Sequence, residues 1–335
     1  MKSVCNSQPT SPAATGPIRA AARPPQTDRR RLWLRRGIHL LLTAAVVYFV
    51  GRAMWKQVAR VDWSTFDPDA RMLVVAVGSL VVHAGFFGLA PWLLLRSLGQ
   101  RVGLRQTLGV CWLGQLGRYV PGKVAAVAGS AWMLTRLGVR LPVAVGVFLL
   151  NAGIASLLAV AVGSLALLGE DAGKLLPGGG RWVWPIVGMC LVALHPRVFL
   201  AGANLLRRLL RRPPIETRPH GPALLAALAA VLGRCAAMGL AAWLIARALL
   251  PVPLGQWWVF LAAANLAQVI GFLAFFAPAG VGVREGVYLV LLTPVIGAEW
   301  ATLLALLMRL AQVALDVIGA AVGGILVRRG KTIQG

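Results

Sequence analysis

The chain has 335 residues, of which 58% are hydrophobic and only 13% charged, with a mean hydropathy of +0.75. Soluble domains carry about 25% charged residues, so composition excludes an ordinary soluble globule and points to an all-α polytopic membrane protein. The basic residues behind the net charge of +24 lie mostly in the N-terminal tail and in loops between apolar runs, not on one face of a soluble domain, which argues against a nucleic-acid partner.

Residues 1–28 are rich in Pro, Ala, Ser and Thr and lack hydrophobic periodicity, so a disordered cytoplasmic N-terminal tail is expected over 1–30. A basic stretch, Arg29 to Arg36, then leads into an apolar run, Ile38 to Met54. No small-residue cleavage site follows and many further runs do, so this is read as a first transmembrane helix and not as an export signal. Further runs cover about 72–95, 107–134, 143–168, 182–200, 221–246, 257–298 and 301–327. Together they give about eight transmembrane spans over a membrane domain of residues 31–329, with a cytoplasmic tail at 330–335. Trp residues punctuate the run ends, as in an interfacial aromatic belt: Trp33, Trp55, Trp92, Trp182, Trp184, Trp257, Trp258 and Trp300.

Two of these runs are broken. The first contains Arg118-Tyr119-Val120-Pro121-Gly122-Lys123; the second contains Pro278-Ala279-Gly280-Val281-Gly282-Val283-Arg284-Glu285-Gly286. Within a bilayer every backbone N–H and C=O needs an internal partner, so a broken helix survives only against protein or a water-filled cavity. Paired Pro/Gly interruptions in two halves of a chain point to a transporter's binding site.

Loop charge sets the expected topology. Seven Arg between residues 19 and 36 place the N-terminus in the cytoplasm, and Arg328, Arg329 and Lys331 place the C-terminus there too. Arg96, Arg101 and Arg105 precede the first broken segment, and Arg136 and Arg140 follow it. Both its flanks are therefore cytoplasmic, which makes 107–134 a re-entrant hairpin. For 257–298, a re-entrant hairpin and two short spans give the same parity. The units 72–168 and 221–327 then share one pattern (span, broken segment, span) and start on opposite sides, so an inverted repeat is expected.

Ionisable groups within spans are costly and face a cavity or a partner. The candidate substrate-binding set is Arg118, Lys123, Arg284, Glu285, Arg309 and Asp316, with Pro121, Gly122, Pro278, Gly280 and Gly282 as helix-breaking residues. Arg309, Gln312 and Asp316 share one helix face by spacing. In the functional reading, half-helix N-termini and the cations bind a phosphate while Glu285 and Asp316 balance the charge. In the structural reading, Arg309 pairs with Asp316 and Arg234 with Glu285 to hold helices together. His83 is read as a helix contact; Asn151, Asn265 and Gln268 are weaker polar marks. The pairs in Leu205-Leu206-Arg207-Arg208-Leu209-Leu210-Arg211-Arg212 suit either an interfacial helix or an orientation signal. The scattered Cys5, Cys111, Cys190 and Cys235 form no metal or disulfide pattern. There is no Walker loop, nucleophile triad or metalloprotease motif, so no enzymatic activity, metal or cofactor is expected.

The two quoted motifs resemble the lysylphosphatidylglycerol synthase transmembrane, or flippase-like, family, over residues 38 to 329. Arg309 stands where that family has an Arg in its last helix. The resemblance implies lipid translocation or lipid handling in a bacterial inner membrane. It does not imply aminoacyl transfer, which a separate soluble domain performs and which is not expected in this chain. Where some branches carry an acidic residue after the first Pro-Gly, this chain has Lys123, which favours an anionic lipid over a cationic headgroup. The leading expectation is translocation of a phosphate-bearing lipid, an anionic phospholipid or a phosphate-linked glycolipid. The alternatives are a non-transporting accessory protein beside a lipid-biosynthesis enzyme, and, with less support, a lipid-modifying transferase.

Overall fold

A computed structural model describes residues 52, 55, 59, 68–119, 124–168, 180–195, 198, 221–274, 277 and 280–331. The basic tail, the run 38–54 apart from Arg52, the repeat at 205–212, and Pro121, Gly122, Lys123 and Pro278 lie outside the described residues. The described residues are helical, without strands: α1 (Ala70–Ser97), α2 (Leu104–Gln115), α3 (Val124–Thr135), α4 (Leu141–Ala166), α5 (Val183–Leu194), α6 (Gly221–Leu249), α7 (Trp257–Leu273), α8 (Val283–Ile296) and α9 (Ala298–Lys331). Short 3₁₀ turns extend α2 through Leu116–Tyr119 and precede α7 at Leu254–Gln256.

Five of these segments are long and apolar enough to cross a membrane: Ala70–Ser97, Leu141–Ala166, Gly221–Leu249, Leu254–Leu273 and Ala298–Arg328. Their outward faces are hydrocarbon-like. On α1, Val74, Val75, Val77, Val81 and Val82 are all exposed, an apolar surface of the kind a lipid-facing helix carries. The interior is built from small residues, with Ala262, Ala263 and Ala264 fully buried. Lipid tails are as apolar as Leu, so helices in a bilayer associate by close backbone approach. Gly109 on α2 and Gly323 on α9 show it: a Cβ on either would lie under 3 Å from the other's carbonyl oxygen.

Local chemistry sets the helix ends. Asp69 caps α1, its carboxylate accepting from Arg71 N at 2.8 Å. Pro142 stands in the first turn of α4, where a missing N–H is harmless. The first broken run becomes α2 and α3, each 12 residues, or roughly 18 Å at 1.5 Å per residue. The two pack on each other across the break. The second broken run becomes α7, 17 residues, and α8, 14 residues, joined through Gly280 and Gly282 at φ of +71° and +82°.

The packing repeats itself between the two units. α1 packs chiefly on α6; α2 packs on α9 as α7 packs on α4; α3 touches α4 as α8 touches α9. The equivalent helices α1 and α6 run antiparallel. Asp69 N donates to Ala248 O at 3.0 Å, Ser79 Oγ to Ala237 O at 2.7 Å, and His83 Nδ1 to Arg234 O at 3.1 Å, so the partner number falls as the α1 number rises. Exchange of equivalent helices that oppose each other in direction is the pattern of a two-fold axis perpendicular to the helices.

Candidate functional site

The cavity of about 250 Å³ between the two units is walled by both broken segments. The end of α2 and its 3₁₀ turn bring Arg118; α8 brings Arg284; α9 brings Gln312 and Asp316; α6 brings Arg234. Phe87, Trp112 and Phe148 supply an apolar wall. Trp112 is held by its Nε1, which donates to Ala84 O at 3.0 Å, and it packs against Gly319.

Arg118 donates to Asp316 Oδ2 in a close ion pair, and Tyr119 OH donates to the same oxygen at 2.6 Å. Both side chains of the ion pair are largely buried, at 17% and 9% exposed. The pair joins the break of the first unit to the last helix of the second. Arg284 Nη1 donates to the neutral Gln312 Oε1 at 2.8 Å, and its buried Nε has no hydrogen-bond partner. Gly271 makes room for it: a Cβ there would lie 2.4 Å from Arg284 Cγ. Arg234 has Phe87 beneath its guanidinium at 5.7 Å and no carboxylate partner among the described residues. Its backbone carbonyl accepts from His83, and a carbonyl only accepts, so Nδ1 of this cavity-lining ring carries the proton.

The structure separates the candidate residues. Arg118, Arg284 and Asp316 line the cavity, while Glu285 and Arg309 do not. Glu285 is buried and turns back on its own helix, its Oε2 accepting from Gly282 N at 2.7 Å, while Oε1 faces Arg309 Nη1 at 3.8 Å. This is the carboxylate half of a capping box, since Gly282 has no side chain to return the bond. It also occupies an amide that an anion would otherwise use, so the Arg284 side chain is what the second break offers the cavity. The ion pairs Arg309 with Asp316 and Arg234 with Glu285 do not form; the partners are exchanged, to Arg118–Asp316 and Arg309–Glu285. Arg309, Gln312 and Asp316 share a face by spacing, yet only the last two reach the cavity. Lys123, Pro121, Gly122 and Pro278 lie outside the described residues; Gly280 and Gly282 form the turn into α8. Asn151, Asn265 and Gln268 also line the cavity, and Asn265 is tied to Cys235 O and Leu261 O at 3.2 and 2.9 Å. Nothing in the sequence pattern singles out Trp112 or Phe87, because an aromatic in an apolar helix looks the same facing lipid or a cavity.

No curated protein matches the chain. Residues 37–320 match the family described as the lysylphosphatidylglycerol synthase TM region, which covers both broken segments and every cavity-lining residue named above. This multi-pass membrane protein belongs to the lysylphosphatidylglycerol synthase TM-region family.

Proposed function

We propose that the protein translocates a phosphate-bearing lipid across the bacterial inner membrane, with both termini in the cytoplasm, and that it is not an enzyme. The observation that carries this reading is the cavity shared by the two broken segments, with Arg118 and Arg284 facing into it. Guanidinium groups form short, charge-assisted, often bidentate bonds to phosphate, and a water-poor wall strengthens them. Membership of the family supports an association with membrane lipids.

The mechanism follows from which unit each group belongs to. Arg118 and Asp316 sit on different units, so their ion pair ties the units together. An arriving phosphate competes with Asp316 for Arg118, loosens that tie, and lets one unit rock against the other. Arg284–Gln312 and Glu285–Arg309 are both internal to the second unit and keep its break rigid while it moves. No nucleotide motif is present, so movement is downhill or coupled to protons or membrane potential, with Asp316 the group that gains and loses a cation partner.

Reconstitution tests this. The purified protein is placed in vesicles holding a trace of headgroup-intact fluorescent phospholipid, and the outer-leaflet label is bleached. Protein-dependent loss of the protected half, abolished by Arg284→Gln, is expected. An unchanged protected half, together with disappearance of one lipid from both leaflets of a deletion strain, would transfer the assignment to an accessory role in synthesis.

A further inference from the structure

The charge on the cavity wall narrows the ligand, given the lipid-translocation reading above. Among the described residues three guanidiniums face the cavity, those of Arg118, Arg234 and Arg284, against one carboxylate, that of Asp316. Asp316 is committed to Arg118 and Tyr119. Arg284 is met only by a neutral amide, with its Nε buried and unpartnered, and Arg234 only by the face of Phe87. Two positive charges therefore stand without a counter-charge in a wall whose other polar side chains, among them Asn151, Asn265 and Gln268, are neutral. An uncompensated charge in such a place is costly, and the cost is removed when a ligand supplies the opposite charge.

The cavity is also small. At about 250 Å³ it falls below the roughly 300–1,000 Å³ of sites that enclose a drug-sized ligand, so it holds a headgroup and leaves acyl chains outside. We infer that its ligand is a phosphate monoester dianion at the end of a lipid, and not a phosphodiester carrying one negative charge or a headgroup bearing an amine. A monoester supplies two charges, matching Arg234 and Arg284, and three acceptor oxygens; a diester supplies one charge and two free oxygens, and an added ammonium would meet Arg234 and Arg284 with like charge.

The test uses the whole protein in neutral-detergent micelles and four probes: dioctanoyl phosphatidate, dioctanoyl phosphatidylglycerol, its lysyl ester, and inorganic phosphate. Affinities are measured at pH 8 and pH 5. A monoester loses its second charge near pH 6 whereas a diester keeps its single charge throughout. At pH 8 phosphatidate is expected to bind about tenfold more tightly than phosphatidylglycerol, with the lysyl ester weakest. The preference should shrink at pH 5. Arg234→Gln should cut phosphatidate affinity toward that of phosphatidylglycerol, and Arg234→Lys should restore most of it, which separates charge from folding. Equal binding of phosphatidate and phosphatidylglycerol at pH 8 overturns the inference and leaves the lipid reading intact. Binding of inorganic phosphate with no competition from any lipid keeps the dianion and overturns the lipid reading. No binding by any probe overturns both.

Discussion

At the residue scale the site is governed by which atoms share a partner. Asp316 Oδ2 accepts from both Arg118 and Tyr119, so the two donors are not equivalent in their loss. Tyr119→Phe removes one hydrogen bond to a carboxylate and leaves the ion pair, an expected loss of about 1.5–3 kcal/mol at most. Asp316→Asn removes the counter-charge instead and frees Arg118 for ligand. It is therefore expected to raise phosphate affinity while slowing transport, because the ligand is held and the tie between units no longer re-forms. Binding and transport measured on the same preparation check this; a parallel fall in both would assign Asp316 to folding alone. Gly271 gives a second case. A Cβ there would lie 2.4 Å from Arg284 Cγ and 2.7 Å from its Nε, so Gly271→Ala displaces the guanidinium without touching any charge. Overpacking of this kind costs about 1–3 kcal/mol. Transport should fall to the level of Arg284→Gln, while thermal unfolding in micelles shifts by only a few degrees.

At the element scale the breaks decide the architecture. α8 can start only because Gly282, at φ +82°, turns the chain, and because Glu285 then satisfies the Gly282 amide. A side chain in this left-handed region costs about 1–2 kcal/mol. Gly280→Ala adds a clash to that strain, since its Cβ would also lie 2.9 Å from Gly271 O. It should lower the unfolding temperature in micelles; an unchanged temperature would show that the turn accepts a side chain there. The breaks themselves are legible in the sequence, because Pro and Gly inside a long apolar run have few other uses in a bilayer. The cations beside them are legible for the same reason. The pairing is not. Arg309 and Asp316 lie seven residues apart on one helix, and spacing alone suggests that they serve each other. In the structure each is claimed by a different break, Asp316 by Arg118 and Arg309 by Glu285. A helix face specifies direction but not the neighbour that waits there. Arg234 illustrates the converse: it stands out as a charge in mid-run, but its ring contact with Phe87 and its lack of a carboxylate partner among the described residues depend on how α6 lies against α1.

At the scale of the whole molecule, the exchange of packing between units makes a topological claim. α1 and α6 are antiparallel, so the loops that follow them, before α2 and before α7, leave at opposite ends of the pair. In a membrane those loops face opposite compartments. Arg96, Arg101 and Arg105 surround the first, so it is expected on the cytoplasmic side. The second loop, around Leu254, is then expected to face out. Gly103 and Leu254 are both exposed, and Gly103 has φ of −68°, which any residue adopts. The cysteines Cys111, Cys190 and Cys235 are buried, so with Cys5→Ser the background labelling is low. Gly103→Cys and Leu254→Cys should therefore react with a membrane-impermeant thiol reagent from opposite sides of sealed cells, Leu254→Cys without lysis and Gly103→Cys only after it. Labelling from one side would mean that the units do not invert across the bilayer. Rocking of one unit against the other would then expose the cavity twice to the same compartment, and translocation by this route would fail whatever lipid the cavity holds.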